Sequence, residues 1–285
     1  MLYLRLSFIS QFTFTYMRPV HIPVYIQQLY QNKPADLAAQ PVIATAYQAL
    51  RKSGPPEVSI VMPAYNEEEN ILQTLLSIAN NETKWAVEIV VVNNNSKDQT
   101  EALVKGTGIP CITELNQGIT VARNAGLAVA TGKYILNADA DTIYPKDWIE
   151  QMIKPLAERD NIAAVYGRFS FIPIAGTPRF IYFLYEYFAD LSRWINKTFR
   201  DEAMNAYGFN SGFRREQGLS VDGFNHPAGT NEDGWLALKL REKGYGNLFY
   251  VKAISALVWT TDRRIQIDGG LWKGTIKRIK RLIGL

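Results

Sequence analysis

Two aspartates, Asp139 and Asp141, directly follow a short apolar run at residues 134–136. Residues two apart on an extended chain face the same side, so both carboxylates can approach one cation. Hard oxygen ligands that leave room for phosphate oxygens and water suit Mg²⁺ or Mn²⁺. An Asp-x-Asp pair often occurs by chance, so it is the position at the end of an apolar strand that favours a divalent metal site here.

Two other apolar runs also end in polar side chains. The first run of the chain leads into Asn66 and Glu67, and the next, at residues 87–92, leads into Asn94 and Ser96. Ligands of parallel sheets bind outside the carboxyl ends of the strands. Any one of these segments could be a capped, solvated turn, but three of them at one sheet edge predict a binding site.

Two further clusters lie in the C-terminal half of the chain. Glu232 and Asp233 precede a helix predicted over 234–243, where acids often serve only as caps. Arg263 and Arg264 follow an apolar run, and guanidinium groups bind phosphates well. The residues alone leave both clusters open. The acids could be catalytic or a helix cap, and the arginines a diphosphate clamp or a solvated basic turn.

The elements that must position these clusters alternate along the chain from Val58 onward. Strands alternating with helices predict βαβ units, and therefore an α/β fold with a mostly parallel sheet, flanking helices and a Rossmann-like nucleotide-binding half. Asn66, with an acid three residues on, is expected to cap the first of these helices. The predicted strands lie at 58–63, 87–92, 111–112, 134–136 and 162–166.

The predicted organisation is a single domain with two flanking segments. Residues 1–56 are rich in proline and are expected to form an N-terminal extension, in which 1–16 precede a native start at Met17. The domain itself is expected over 57–265. Residues 266–285 are basic and alternate with apolar residues, which predicts an amphipathic C-terminal tail.

The composition excludes several functional classes. The 285 residues are 47% hydrophobic and 20% charged, with a net charge of +4, which permits a sizeable core. Basic residues are spread along the chain with matching acids, so nucleic acid is not an expected partner. Cys111 is the single cysteine, which excludes an intrachain disulfide and agrees with a cytoplasmic protein. The two histidines show no zinc-type spacing.

Membrane contact is predicted at the surface only. The chain has no uncharged apolar stretch of about 18 residues or more, the length that predicts a transmembrane helix. The tail pattern is typical of a helix lying on anionic lipid, although an ordinary packed helix is the alternative. The aromatic run at 180–194 could be core, an acceptor-binding wall or a membrane-facing surface. We therefore expect a protein peripheral to the inner face of the cytoplasmic membrane.

Four segments in order identify a family resemblance. VSIVMPAYNE at 58–67, VVVNNNSKDQT at 90–100, NQGITVARNAG at 116–126 and YILNADAD at 134–141 resemble the successive motifs of glycosyltransferase family 2. The resemblance extends over about residues 57–245. It implies a GT-A fold and inverting transfer of a sugar from a nucleotide-sugar donor to an acceptor hydroxyl, on a glycan or a lipid-linked glycan.

The resemblance also implies roles for matching positions. An aspartate is common in the family where this chain has Asn93, which makes the identity of the base less certain. The metal would be held by Asp139 and Asp141. Asn94 and Ser96 would contact the edge of the nucleotide base, and Arg123 would lie near the diphosphate. The other residues expected to contact the nucleotide are Pro63, Tyr65, Asn66, Glu67 and Asp139.

The resemblance places the reaction chemistry further along the chain. The second acid of a Glu-Asp pair is the usual general base in the family, which implies that role for Asp233, with Glu232 beside it. The segment with Asn210, Ser211 and Gly212 resembles the family's acceptor-side loop. Sugar transfer requires the leaving diphosphate to be neutralised and the attacking hydroxyl to lose its proton.

Two rival functions are open from the sequence. A sugar nucleotidylyltransferase also uses an α/β sheet and a metal, but it would need a glycine-rich loop after the first strand, and residues 63–66 contain no glycine. A nucleotide-sugar-binding module without activity is the second rival, although every expected acid is present. The resemblance favours UDP as the nucleotide and leaves guanosine and thymidine donors open.

Overall fold

Ten strands form two sheets in the computed structural model, which describes residues 18–31, 40–174, 176–267, 269–271 and 273. The larger sheet has the order β3-β2-β1-β4-β8-β6-β9, and the smaller has the order β5-β10-β7. The strands are β1 (Val58–Ala64), β2 (Val87–Asn93), β3 (Cys111–Thr113), β4 (Tyr134–Asn137), β5 (Thr142–Ile143), β6 (Ile162–Tyr166), β7 (Phe169–Ile172), β8 (Ser211–Arg214), β9 (Asn247–Tyr250) and β10 (Val258–Thr261).

Ten α-helices surround these sheets in the described part of the chain. They are α1 (Val24–Gln31), α2 (Gln40–Arg51), α3 (Ile71–Ala79), α4 (Thr100–Gly106), α5 (Ile119–Val129), α6 (Trp148–Glu158), α7 (Arg179–Phe199), α8 (Arg215–Ser220), α9 (Glu232–Glu242) and α10 (Arg263–Ile267), with 3₁₀ turns at Glu202–Asn205 and Ile254–Ala256. None of the helices described is long and apolar enough to cross a bilayer.

The large sheet is parallel except at β8. Strand β1 pairs in parallel with β2 and β4, whereas β8 runs antiparallel to both β4 and β6. Every residue of β1 is buried, as expected for a strand covered by helices on both faces. The mostly parallel α/β sheet is therefore as predicted, and it brings the carboxyl ends of β1, β2 and β4 to one edge.

The hydrophobic core lies on both faces of this sheet. On one face the buried side of α6 contributes Trp148, Ile149, Met152 and Ile153, together with α3. On the other face α9 packs with Phe213 and its neighbours. Burying this apolar surface fixes the sheet, and the sheet in turn fixes the loops at its edge.

The N-terminal extension predicted over 1–56 is packed against the domain wherever the structure describes it. Ile43 and Tyr47 of α2 belong to the main core. Ile26 of α1 is buried against Trp259 in the smaller sheet, and the buried guanidinium of Arg18 binds α7. Residues 1–17 and 32–39 lie outside the described part, as does most of the tail predicted over 266–285.

The predicted cap of the first domain helix is wrong. Helix α3 begins at Ile71 after Asn70, four residues later than a cap at Asn66 requires. Asn66 instead has a φ of 53°, in the left-handed region that asparagine tolerates better than most residues. Its side chain connects two loops by accepting a hydrogen bond from the N–H of Lys97.

Candidate active site

A cleft of about 470 Å³ opens at the carboxyl ends of β1, β2 and β4. The four segments that follow β1, β2, β3 and β4, together with the start of α10, form its walls. Nine of the residues predicted for the site line this cleft, namely Pro63, Tyr65, Asn66, Glu67, Asn94, Asp139, Asp141, Arg263 and Arg264. Residues 117–119 line it as well; they belong to the motif at 116–126, but no role was predicted for them.

The loops after β1 and β2 are tied together by reciprocal hydrogen bonds. The backbone N–H of Asn66 donates to Ser96 Oγ at 3.0 Å, and the N–H of Lys97 donates to Asn66 Oδ1 at 2.8 Å. The N–H of Glu67 donates to Thr100 Oγ1 at 2.8 Å. Ser96 therefore shapes the wall from behind rather than lining the cleft, while Tyr65 is 48% exposed at its opening.

The side chain of Asn94, which lines the cleft, is bonded to the neighbouring loop. Its Nδ2 donates to the carbonyls of Glu114 and Asn116 at 3.1 and 2.7 Å, and its Oδ1 accepts from the N–H of Gly118 at 2.8 Å. Both amide hydrogens are thus used inside the protein, so the side chain has none to donate to a base edge. Asn94 holds the loop that forms one side of the cleft.

The acids at the base of the cleft lie beside an arginine. Arg263 Nη2 donates to Glu67 Oε1 at 2.5 Å and to Asp141 Oδ2 at 2.9 Å. Burial, reinforced by the carboxylates of Asp139 and Glu67, raises the pKa of Asp141 to about 6 against the opposing effect of the arginines. Positive charge in this part of the cleft would therefore be stabilised.

Tyr144 positions the turn that carries Asp139 and Asp141, and this role of Tyr144 was not predicted from the sequence. The N–H of Asp139 donates to Tyr144 Oη at 2.9 Å, and Tyr144 Oη donates to the carbonyl of Phe209 at 3.0 Å. Burial raises the pKa of this phenol, so it stays a donor. Nothing in the local sequence around Tyr144 indicates these contacts, because Phe209 lies far along the chain.

The carboxylates of Asp139 and Asp141 suit a divalent cation whose remaining ligands come from substrate phosphates and water. Among the described residues, no group of three or more His, Cys, Asp or Glu side chains converges in a way that would hold a metal. Asp139 and Asp141 nevertheless both line the open cleft. Mg²⁺ is typically bound by one or two carboxylates together with substrate phosphates and water, rather than by an all-protein cage. Two carboxylates at an open cleft match that arrangement.

A buried arginine connects this turn to the start of α9. Arg123 on α5 donates from Nη2 to Asp139 Oδ1 at 2.9 Å. Its Nε lies 3.4 Å from Asp233 Oδ1 and 3.8 Å from Glu232 Oε1. The guanidinium thus links the cleft to the predicted catalytic acids, from beneath the cleft rather than as part of its lining.

Asp233 is not the cap of α9. That role belongs to Asn231, whose Oδ1 accepts from the N–H of Gly234 at 2.8 Å. The Asp233 carboxylate is buried, and its Oδ1 has no hydrogen-bond partner in the described part of the protein. Burial raises the pKa of Asp233 to about 7, opposed by Arg123 and reinforced by Glu232 and Asp139. Such a carboxyl can exchange a proton near neutral pH.

Residues 59–217, more than half of the chain, match the family described as Glycosyl transferase family 2. The chain belongs to glycosyltransferase family 2. "Probable glycosyltransferase YdaM" of Bacillus subtilis (strain 168) is 31% identical over 215 residues, which cover 70% of this chain and 50% of that protein. "Glycosyltransferase GlyA" of Streptococcus pneumoniae is 32% identical over 120 residues, covering 40% of this chain and 17% of that protein. The chain thus spans half or less of the length of these relatives.

Solved structures show that the fold is GT-A. Mannosyltransferase PcManGT from Pyrobaculum calidifontis, in complex with GDP-Man and Mn²⁺, superimposes with a TM-score of 0.53 at 22% identity, covering 81% of this chain and 67% of that one. TarS 1–349 of S. aureus, in complex with UDP, gives a TM-score of 0.52 at 18% identity, covering 72% and 60%. The predicted family and fold class are confirmed.

The segment predicted to contact the acceptor lies inside the protein, where Asn210 and Ser211 are both buried. Asn210 accepts from Trp148 Nε1 at 2.8 Å and donates to the carbonyl of Arg168 at 2.7 Å. Ser211 Oγ accepts from Asn137 Nδ2 at 3.0 Å, and Gly212 lies between β4 and β6. The side chains of Asn210 and Ser211 therefore hold this segment against the sheet, and the role of the three residues toward an acceptor stays a prediction.

A second groove lies next to the predicted catalytic acids. It has a volume of about 710 Å³ and is bordered by the C-terminal part of α7 and the loop before α9. Asn231 and Gly234, which flank Glu232 and Asp233 in the chain, both line it. Tyr207 and Trp235 give it aromatic walls. The acids thus lie between the cleft and this groove.

Gly208 sets the spacing between Arg123 and Asp233. A Cβ added there would lie 1.9 Å from Arg123 Nη2 and 2.6 Å from Asp233 Oδ2. We expect Gly208→Ala to displace the guanidinium and lower transferase turnover by at least about tenfold, since small misplacements at a site are costly. Gly244→Ala is the matched control, because it strains a φ of 86° where the added Cβ meets no atom. Turnover and thermal stability are measured for both variants. Equal turnover in the two would contradict this role of Gly208.

Proposed function

We propose that this protein transfers a sugar from a nucleoside diphosphate sugar, a UDP-sugar, to a hydroxyl of a glycan or lipid-linked glycan. The reaction inverts the anomeric centre and uses a divalent cation, Mg²⁺ or Mn²⁺, held by Asp139 and Asp141. Asp233 is the general base. The proposed location is the cytoplasmic face of the membrane, where the acceptor is presented.

One observation carries this proposal. Arg123 is buried and lies within 3.4 Å of Asp233 while donating to Asp139 at 2.9 Å. A single cationic group therefore joins the proposed metal-binding turn to the proposed base. Burying an arginine among three carboxylates is costly unless each group is fixed in place, and such an arrangement is a common feature of catalytic sites.

The cleft supplies the donor side of the reaction. A bound cation would neutralise charge that develops on the diphosphate as it leaves. Arg263 and Arg264 line the same cleft and can pair with phosphate oxygens. Tyr65, half exposed at the opening, offers an aromatic surface to the nucleoside. These groups position the donor so that its anomeric carbon faces the acids beyond the turn.

The acceptor side requires a base and a direction of attack. The acceptor oxygen bonds to the anomeric carbon as the bond from that carbon to the diphosphate breaks, and the electron pair leaves with the nucleoside diphosphate. The hydroxyl proton passes to the Asp233 carboxylate, whose raised pKa suits it to accept a proton near pH 7. A single displacement of this kind inverts the configuration, as in inverting hydrolases.

The comparisons support the donor class. The structures of PcManGT with GDP-Man and Mn²⁺ and of TarS with UDP place nucleotide-type donors in proteins of this fold. The two nucleotides differ, so the choice of UDP rests on the motif resemblance. The cleft here has the same location relative to the sheet that nucleotide sites take in open α/β folds.

Calorimetric binding of UDP, GDP and TDP, each with and without Mn²⁺, tests the proposal. We expect UDP to bind at least about tenfold more tightly with Mn²⁺ than without it, because the cation links phosphate to carboxylate. Tight metal-dependent binding of GDP or TDP instead would assign that nucleotide, rather than UDP, to the donor. Absence of binding for all three nucleotides under both conditions would contradict the transferase function.

A further inference from the structure

Helix α7 is amphipathic in the opposite sense from an ordinary surface helix. Its charged residues Glu186, Asp190 and Arg193 are buried, with at most 4% exposure. Surface helices of globular proteins normally direct their charged side chains to water and their apolar side chains to the core. The reversed polarity of α7, with charged residues buried and apolar residues exposed, therefore requires an explanation.

The outward side of the helix is apolar. Phe180, Ile181, Leu184, Phe188 and Leu191 form a stripe at spacings of three and four residues, and we call it the α7 stripe. Their exposures are 58%, 44%, 47%, 61% and 38%. No charged residue of α7 is exposed between Phe180 and Leu191. Contiguous apolar surface of this kind on a folded protein marks a binding surface.

Ion pairs fix the helix in this orientation. Arg18 Nε donates to Asp190 Oδ2 at 2.6 Å, and its Nη1 donates to Glu186 Oε2 at 3.1 Å. Arg179 Nη1 donates to Glu186 Oε1 at 2.9 Å. Rotating the helix to hide the stripe would leave these buried charges unpaired, which is strongly destabilising. The stripe is therefore held on the outside.

The exposed charges around the stripe are basic. Lys197, in the last turn of α7, and Arg200, the residue that follows the helix, are both exposed, and Lys197 Nζ also donates to Glu202 Oε1 at 2.6 Å. Near its N-terminal end the helix contacts α10, where Gln266 Nε2 donates to Tyr182 Oη at 3.3 Å. The exposed Lys273 follows shortly after α10. Apolar side chains flanked by cations complement a bilayer with anionic headgroups.

We propose that the α7 stripe docks this protein on an anionic bilayer, with the helix axis lying along the membrane surface. The phenylalanines and leucines enter the boundary between headgroups and acyl chains, and the basic residues pair with lipid phosphates. At 1.5 Å per residue the helix gives a contact about 30 Å long. Binding through this surface requires neither donor nor catalysis.

Docking in this orientation would bring the second groove to the membrane. Ser192, Asn196 and Arg200, near the C-terminal end of α7, line that groove together with Asn231 beside the proposed base. A sugar or glycan attached to a lipid could then enter the groove while its lipid stays in the bilayer. This part of the inference rests on the proposed transferase function, whereas docking itself does not.

Vesicle flotation with the full-length protein tests the docking surface. The probes are vesicles of phosphatidylcholine alone and vesicles with about 30% phosphatidylglycerol. We expect binding to the anionic vesicles and a decrease of at least about tenfold in the Leu184→Glu/Phe188→Glu variant, which places two charges in the apolar contact. Val42→Glu is the matched control, since Val42 is 60% exposed on α2. Circular dichroism and Mn²⁺-dependent UDP binding verify that each variant is folded.

Several results would overturn the proposal. These are absence of wild-type binding to anionic vesicles, equal binding by the double variant, or a dimer in solution that the double variant dissociates, since a second copy would then cover the stripe. A chain ending at Lys273 that loses binding, while the double variant keeps it, would assign the contact to residues 274–285. Nucleotide binding is independent of all these outcomes, so a failure here would leave the transferase function in place.

Discussion

Asp233→Asn is expected to lower turnover by about 10²- to 10⁴-fold, the usual contribution of a general base. Donor affinity should change little, because the Asp233 carboxylate lies beyond Arg123 and does not line the nucleotide cleft. Asparagine has nearly the same shape as aspartate but cannot accept the hydroxyl proton. Steady-state kinetics with a soluble acceptor, together with calorimetric UDP binding, measure the two effects separately.

Glu232→Gln is the matched comparison for this variant. Glu232 is adjacent in the chain and its Oε1 lies 3.8 Å from the same guanidinium, but it is not the closer of the two acids. We expect a loss of turnover at least about tenfold smaller than that of Asp233→Asn, since a neighbour that only adjusts charge contributes less than the proton acceptor. A larger loss in Glu232→Gln would assign the base to Glu232 instead.

The pH profile provides a second test of the same base. The pKa of Asp233 is raised to about 7 by burial and by Glu232 and Asp139, so the carboxylate is the minor form below that pH. We expect kcat/KM to level off above about pH 7 and to fall about tenfold per pH unit below it. Glu232→Gln removes a negative charge that raises this pKa, so its profile should shift to lower pH. An unshifted profile would mean that another group limits the rate.

The sequence predicted the acidic side of the site because that information is local. A strand followed at once by Asp139 and Asp141 places both at the sheet edge, whatever the rest of the chain does. The same reasoning gave Glu67. Tyr144 and Gly208 were missed because their roles depend on contacts across long sequence separations, such as that between Tyr144 and Phe209. Periodicity carries no such information.

The sequence motifs predicted which residues lie near the site, but not which way their side chains point. Asn94 and Asn210 fall within motif segments, yet both side chains turn inward and satisfy backbone groups there. An asparagine amide bonds equally well to a base, a sugar or a carbonyl, so its partner depends on which groups the fold brings near. The packing of the N-terminal extension against the domain likewise depends on contacts between residues far apart in the sequence, such as that between Arg18 and Asp190.

Helix α7 shows a further limit of pattern reading. Its sequence predicts two faces of different polarity, but not which of them faces inward. The general rule would bury Phe188 and expose Glu186, and the structure does the reverse. The orientation follows from arginines elsewhere in the chain, including Arg18, that require carboxylate partners in the interior.

Asp141→Asn should remove the part of donor affinity that depends on Mn²⁺. The carboxylate loses its charge, so the cation keeps a single acidic ligand in the turn, and loss of a metal contact typically costs at least about tenfold in affinity. Without Mn²⁺ the variant should bind UDP about as well as the wild type. Arg263, which donates to Asp141 at 2.9 Å, retains Glu67 as a partner.

Asp139→Asn should lower turnover as well as affinity, because Asp139 also accepts from Arg123 at 2.9 Å and so positions the group beside the base. Asp160→Asn is the control for both variants, since this carboxylate is fully exposed and remote from the cleft. Calorimetry with and without Mn²⁺, combined with turnover at saturating donor, distinguishes the two positions. If Mn²⁺ still strengthened UDP binding in both variants to the wild-type extent, the cation would have to bind through other ligands, and the assignment of the turn would fail.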